Sequence, residues 1–182
     1  GKAVASRYIK VPPNAVAVFF GRKYNYQAPD GSIQKRGFFI LTGGGKVLLP
    51  IVERHQIMST AAFQVEITEH NIPSAKNVGI DVHCVATCRM SAVPEDLANA
   101  VTAFLDKDEV YIKQFLQEIL KGHLRASIGR LDIDQLLRQR DDFNRQVLAE
   151  SAEEFKRLGI QIVTLVIQEV KDAHGFIEAL GK

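Results

Sequence analysis

Gly79-Ile80-Asp81-Val82-His83-Cys84-Val85-Ala86-Thr87-Cys88-Arg89-Met90 is the stretch whose reading decides the fold. Ile80, Val82, Cys84, Ala86, Cys88 and Met90 alternate with Asp81, His83, Thr87 and Arg89, and only Val85 breaks the polar side. Successive side chains of a strand point to opposite faces, so the pattern predicts a strand with one buried and one wet face. Residues 56–67 read as its companion strand. Asn71-Ile72-Pro73-Ser74 and Asn77-Val78-Gly79 supply turn chemistry between the two, which makes an antiparallel meander the economical reading.

Working towards the N-terminus, the apolar run 15–20 sits between the stiff turn Val11-Pro12-Pro13-Asn14 and Gly21, and its length and aromatic content predict a strand. Residues 22–36 are polar, with Pro29-Asp30-Gly31 placed for a tight turn, and read as a solvated hairpin extension. Residues 38–41 form the next strand and Gly43-Gly44-Gly45 a break. Residues 46–52 are a further strand interrupted by Pro50, which favours a sheet edge or a bulge.

Working towards the C-terminus, Pro94 followed by Glu95 and Asp96 opens a helix whose apolar positions are Leu97, Ala100, Val101 and Phe104. Asp106 or Asp108 caps a longer helix to about residue 128, striped by Tyr111, Phe115, Leu116, Ile119 and Leu120 and ended by Gly129. Asp132 or Asp134 starts a third, with Leu136, Leu137, Phe143, Val147, Ala152 and Phe155 as its stripe, stopped at Gly159. Residues 160–170 return to strand, and the tail from Asp172 reads as the start of another helix. The fold class is α+β. A strand-rich antiparallel subdomain, 1–92, precedes a helix-rich subdomain, 93–182, closed by the strand 160–170, within one domain 1–182.

The 182 residues are 46% hydrophobic and 24% charged, the balance of a folded domain. Lys and Arg total 23 against 21 Asp and Glu, a net charge of +2, which argues against a dedicated nucleic-acid binder. Two cysteines exclude a disulfide framework. The longest apolar runs, 15–20 and 162–167, fall far short of the roughly 20 residues of a membrane-spanning helix. The chain begins at Gly1 without a Met or leader and reads as a piece of a longer protein.

Catalytic signatures do not assemble. Gly43-Gly44-Gly45-Lys46 is followed by Val47 rather than Ser or Thr and a helix, so it fails as a phosphate loop. His83 projects opposite to Cys84 and Cys88, which removes a zinc cluster and makes the two thiols core residues. His123 lies on a helix away from both cysteines, and His55, His70 and His174 are scattered singly. No catalytic, cofactor-binding or metal residue is assigned; a hydrolase or metal enzyme is the competing class.

Two features carry binding readings. The doublets Phe19-Phe20 and Phe38-Phe39, with Ile40 after the second, need both faces of their strands covered, either by packing or by a membrane surface. A total charge of +2 offers little attraction to anionic lipid, so membrane contact is expected through these apolar side chains and to depend weakly on salt. The second feature is the charge set Arg138, Arg140, Asp141, Asp142 and Arg145, either a solvated ion-pair face or a protein–protein edge.

Lys121-Gly122-His123-Leu124-Arg125-Ala126, then Gly129, then Leu136-Leu137-Arg138-Gln139-Arg140-Asp141-Asp142-Phe143 closely resembles the flotillin (reggie) branch of the SPFH or band 7 superfamily, which also holds stomatins, prohibitins and HflK/C. The closing string Leu158-Gly159-Ile160 through Val170-Lys171-Asp172 to Gly181-Lys182 and the opening Val11-Pro12-Pro13-Asn14 look like the ends of the same domain. The resemblance implies a non-enzymatic, cofactor-free unit of a scaffold on the inner, cytoplasmic face of a membrane. It implies lipids, membrane-protein cargo and further copies of the full-length protein as partners, and no nucleic acid. The alternative it leaves is a prohibitin- or HflK/C-like regulator of a membrane protease. It also implies a membrane anchor and a Glu/Ala-rich coiled coil outside these residues. With about one and a half heptads after Val170, residues 1–182 alone are expected to be a monomer or weak dimer.

Overall fold

The computed structural model describes residues 7–173. The chain forms two compact units, Gly1–Ala61 and Ala62–Lys182. The division therefore falls some thirty residues before the expected boundary at 92, because the strands over 63–90 share one sheet with the closing strand and pair with nothing upstream. The expected helix after Asp172 lies outside the described residues.

The first unit is built on β2 (Ala15–Gln27), the central strand between β3 (Ile33–Leu41) and β5 (Arg54–Ser59), both antiparallel to it. A second, two-stranded ladder joins β1 (Tyr8–Lys10) to β4 (Gly45–Val47). β2 and β3 are the expected hairpin: Asp30 Oδ1 accepts from the backbone N–H of Ser32 at 2.9 Å and from its hydroxyl at 2.6 Å, while Gly31 takes φ +87°. Val16, Ala17, Val18 and Phe19 are all buried, as a run without polar alternation requires. One side of β2 is the unit's core, in which Ala17, Phe19 and Tyr24 pack with Ile9, Val11, Phe39, Leu41 and Leu48.

Two strand readings need correction here. Of the expected strand 46–52 only Lys46 and Val47 pair, within β4; Pro50 lacks an N–H for a ladder and Ile51 adopts φ +74°, so the chain turns instead. The expected strand 56–67 is two strands in two sheets. β5 ends at Ser59, whose hydroxyl accepts from the N–H of Ala61 at 3.2 Å, and Thr60 N–H reaches back to Asn14 O at 2.8 Å. The next strand starts at Phe63 in the other unit.

The second unit holds the sheet β6 (Phe63–Pro73), β7 (Gly79–Met90) and β8 (Ile160–Asp172), all antiparallel, with β7 in the middle. On β7 the even positions from Ile80 to Met90 are buried and the odd ones are not, which is the alternation of its sequence. Four helices connect β7 to β8: α1 (Pro94–Phe104), α2 (Glu109–Gly129), α3 (Ile133–Arg138) and α4 (Arg140–Arg157). Asp108 caps α2 by accepting from Tyr111 N–H, and Asp132 closes a capping box with Gln135 on α3. α2 packs on β6 through Leu116, Leu120, Leu124 and Ile128, and α4 on β8 through Phe143, Val147 and Phe155. Burying each such side chain contributes roughly 1.5–3 kcal/mol.

The single third helix of the sequence reading is broken at Gln139, with φ −114° and ψ 39°. Leu136 and Phe143 lie seven residues apart, two helical turns, so periodicity gave no sign of the break. The guanidinium of Arg140, hydrogen-bonded to the carbonyl of Ile167 on β8, ties the start of α4 to the sheet.

Cys84 and Cys88 are both free and 0% exposed, and burial pushes both thiols up to about 12. Thiolate, the reactive form, is then scarce at neutral pH. In the folded protein a bulky maleimide should label neither thiol on the timescale on which it labels both in denaturant. Fast labelling of either in native buffer would place that side chain outside the core.

Candidate functional site

In the first unit, chemistry gathers at one carboxylate. Glu53 is the only acid between Asp30 and Glu66, and it is 4% exposed. Its Oε2 accepts from the Tyr24 hydroxyl at 2.5 Å, and its Oε1 accepts from Lys46 Nζ at 2.7 Å and from the backbone N–H of Leu49 at 3.0 Å. Arg22 Nε stands 3.4 Å from Oε2. Burial by itself pushes the Glu53 carboxyl up; the bonds from Leu49 N–H, Lys46 and Tyr24 outweigh it and hold the group at about 2. The same burial, and the carboxylate beside it, push the Tyr24 phenol up.

The local sequence builds this node. Phe20 pairs with Phe38 and Tyr24 with Arg36, so β2 carries two residues more than β3 over that span. The bulge begins at Gly21, with φ +109°, and brings the Tyr24 hydroxyl to Glu53. A Cβ on Gly21 would stand 2.7 Å from Val52 O, so only glycine admits the loop this close. Lys46, the residue that gave Gly43–Lys46 its superficial likeness to a phosphate loop, is committed to Glu53.

What the node holds is an apolar loop. Between β4 and β5, Leu49 is 43%, Val52 51% and Ile51 103% exposed. Glu53 accepts Leu49 N–H with its side chain and donates its own N–H to Leu49 O at 3.1 Å, closing the loop at its base. Arg7 accepts from Leu48 N–H through its carbonyl, so its side chain also starts at this base. Sequence reasoning missed both loop and node. The available signal was a lone acid after four apolar residues in a basic segment.

The aromatic doublets lie in the same unit but are less open than expected. Phe19 is 0% exposed, with Lys46 Nζ 4.5 Å from its ring centroid, so it is a core residue and not a membrane contact. Phe39 packs on Phe19 and Tyr24 with centroids 6.3 and 6.0 Å away. Phe20, Phe38 and Ile40 are half-buried, Phe20 under the guanidinium of Arg54 at 5.1 Å and Phe38 under that of Arg36 at 4.4 Å.

The charge set is partly internal. Arg140 is half-buried and hydrogen-bonded to Ile167 O, so its guanidinium also serves as a structural tie. Arg138, Asp141 and Arg145 are exposed, and Arg145 pairs with Asp142 at 2.5 Å one helical turn away. His83 bonds Glu66 at 2.7 Å and His123 bonds Glu154 at 2.5 Å, so each imidazole is joined to a carboxylate. Among the described residues no helix is long and apolar enough to cross a membrane, and no three His, Cys, Asp or Glu side chains group to hold a metal ion.

Comparison with known proteins agrees with the strings that carry the resemblance. The flotillin-like protein FloT of Bacillus subtilis is 24% identical over 183 residues, covering 92% of this chain and 36% of FloT. Human Flotillin-2 is 33% identical over 112 residues, 62% of this chain and 26% of its own length, and human Flotillin-1 is 25% identical over 145 residues, 79% and 34%. The chain thus spans about a third of the curated relatives it matches. With the SPFH domain / Band 7 family matching residues 9–182, nearly the whole sequence, the chain belongs to that family, and within it is flotillin-like.

Proposed function

We propose that this chain is the globular unit of a non-enzymatic, membrane-associated scaffold that oligomerises as a full-length protein and organises lipid microdomains and their protein cargo on the cytoplasmic face. The observation that carries this reading is the family match over residues 9–182, together with flotillins as relatives. The exposed charges Arg138, Asp141 and Arg145 on α3 and α4 are the surface proposed for lateral protein contact. Exposed ion pairs contribute only about 0–1 kcal/mol each, so such contacts need many copies held together by other means.

Two measurements test the reading. Expressed at full length in its own cell, the protein should float with membranes in a density gradient; a protein left in the soluble fraction defeats the proposal. In light scattering at micromolar concentration, residues 1–182 should be a monomer or weak dimer, with large oligomers only at full length. A stable ring of the 182-residue chain would move the assembly interface into the globular unit.

A further inference from the structure

The small total charge conceals a strong division. Within Gly1–Ala61 there are nine Lys and Arg against two acids, a net charge of +7, while Ala62–Lys182 holds fourteen against nineteen, a net charge of −5. Of the two acids in the first unit, Asp30 sits in the β2–β3 turn and Glu53 is buried beneath three hydrogen bonds. The apolar loop therefore has no exposed carboxylate at its base. With Lys46 committed to Glu53, it has Arg7, Arg22 and Arg54 there instead, through backbone contact, the longer approach to Glu53, or sequence adjacency.

We infer that the Leu49–Val52 loop and the basic side chains at its base form a docking surface for an anionic phospholipid bilayer. This rests on the membrane-associated reading above and names the lipid chemistry of that association. The geometry suits an interface: a fully exposed Ile51 at the tip enters the acyl boundary, while cations a few residues behind it meet headgroup phosphates. Ile51 also holds φ +74°, a strained conformation for a β-branched residue. An apolar, strained side chain kept fully in water gains nothing within the chain, and its use lies in what it meets outside. This differs from the expectation of weakly salt-dependent contact through the aromatic doublets, of which Phe38 has its ring under the guanidinium of Arg36.

The test is co-sedimentation of the 182-residue chain with vesicles of pure phosphatidylcholine, or of phosphatidylcholine with about a third phosphatidylserine. At about 0.1 M salt, binding to the anionic vesicles should be at least about tenfold tighter, and the difference should vanish near 1 M, where the screening length is about 3 Å. Ile51→Asn should lower affinity about tenfold while keeping the salt dependence. Asn accepts positive φ readily, so this variant does not threaten the fold. Arg54→Gln, which leaves the hydrogen bonds that Glu53 accepts from Tyr24, Lys46 and Leu49 intact, should reduce the anionic preference about fivefold.

Equal binding to neutral and anionic vesicles would overturn the inference and leave the membrane reading standing. Absence of binding to both would overturn it as well, and flotation of the full-length protein then decides the broader reading separately. Self-association of the chain that Ile51→Asn abolishes would make the occupant a second copy, and so would unseat the lipid. Binding unchanged by both substitutions would place the contact elsewhere and reject this surface.

Discussion

Glu53→Ala is expected to cost about 3–5 kcal/mol of folding free energy, the range for removing one partner of a buried charged network. The substitution strips acceptors from the Tyr24 hydroxyl, from Lys46 Nζ and from the N–H of Leu49 at once. Each is a donor at or near a covered site, where a lost partner costs more than the bond had contributed. Glu53→Gln keeps one acceptor oxygen and should recover part of the loss. Denaturant titration of the three proteins measures both differences. A cost for Glu53→Ala below about 1 kcal/mol would mean that water replaces the carboxylate and that the node is not a lock.

The same carboxylate sets an acid dependence with a definite sign. Its value falls from 4.5 to about 2 in the folded chain, so its stabilising share is complete above 4.5 and disappears as the pH drops towards 2. A shift of that size corresponds to roughly 3 kcal/mol. The gap in stability between the native chain and Glu53→Ala should therefore narrow from pH 5 to pH 2. A gap that widens on acidification would contradict the depressed value.

Gly159→Ala should be comparably damaging in the other unit, by roughly 3–5 kcal/mol, from positive-φ strain and overpacking together. Gly159 joins α4 to β8 at φ +72°, and its carbonyl accepts from Ser91 N–H at 2.9 Å. A Cβ there would stand 2.2 Å from Asp96 O and 2.3 Å from Ala100 N. Both are backbone atoms inside α1, which cannot rotate aside as a flexible side chain can. Gly122→Ala is the control: it lies within α2 with nothing inside 4 Å of the added carbon, and should stabilise by about 0.5–1 kcal/mol. Thermal melts of the pair should move in opposite directions. A Gly159→Ala protein as stable as its parent would show that α1 does not pack against this turn.

Local order was legible wherever the residues that form an element also lie together in sequence. The period of two in 79–90 gave β7 and its buried thiols, because alternation fixes which side chains share a face. The pairs Asp106 or Asp108 and Asp132 or Asp134 marked helix starts, because a cap bonds an N–H only three residues on, and the structure chose Asp108 and Asp132. The unbroken apolar run 15–20 announced a strand covered on both sides, and the Gly-His-Leu-Arg strings announced the family. Gly159 was readable as a helix stop, though nothing nearby in sequence reveals that the backbone of α1, sixty residues earlier, leaves no room for a Cβ.

Tertiary structure decided the rest, because those features depend on partners distant in sequence. Residues 56–67 look like one strand, since strand propensity does not say which sheet a strand joins. β2 claims the first half and β7 the second. That choice sets the boundary at Ala61 and turns an unremarkable +2 into +7 and −5. Glu53 reads as one acid among apolar residues until the β2 bulge brings Tyr24, twenty-nine residues away, to its carboxylate. Ile51 reads as one residue of the strand 46–52 until Pro50 and the bonds of Glu53 turn it outward. Sequence determined which face of each element is apolar; the pairing of distant strands determined which apolar residue has no face to bury against.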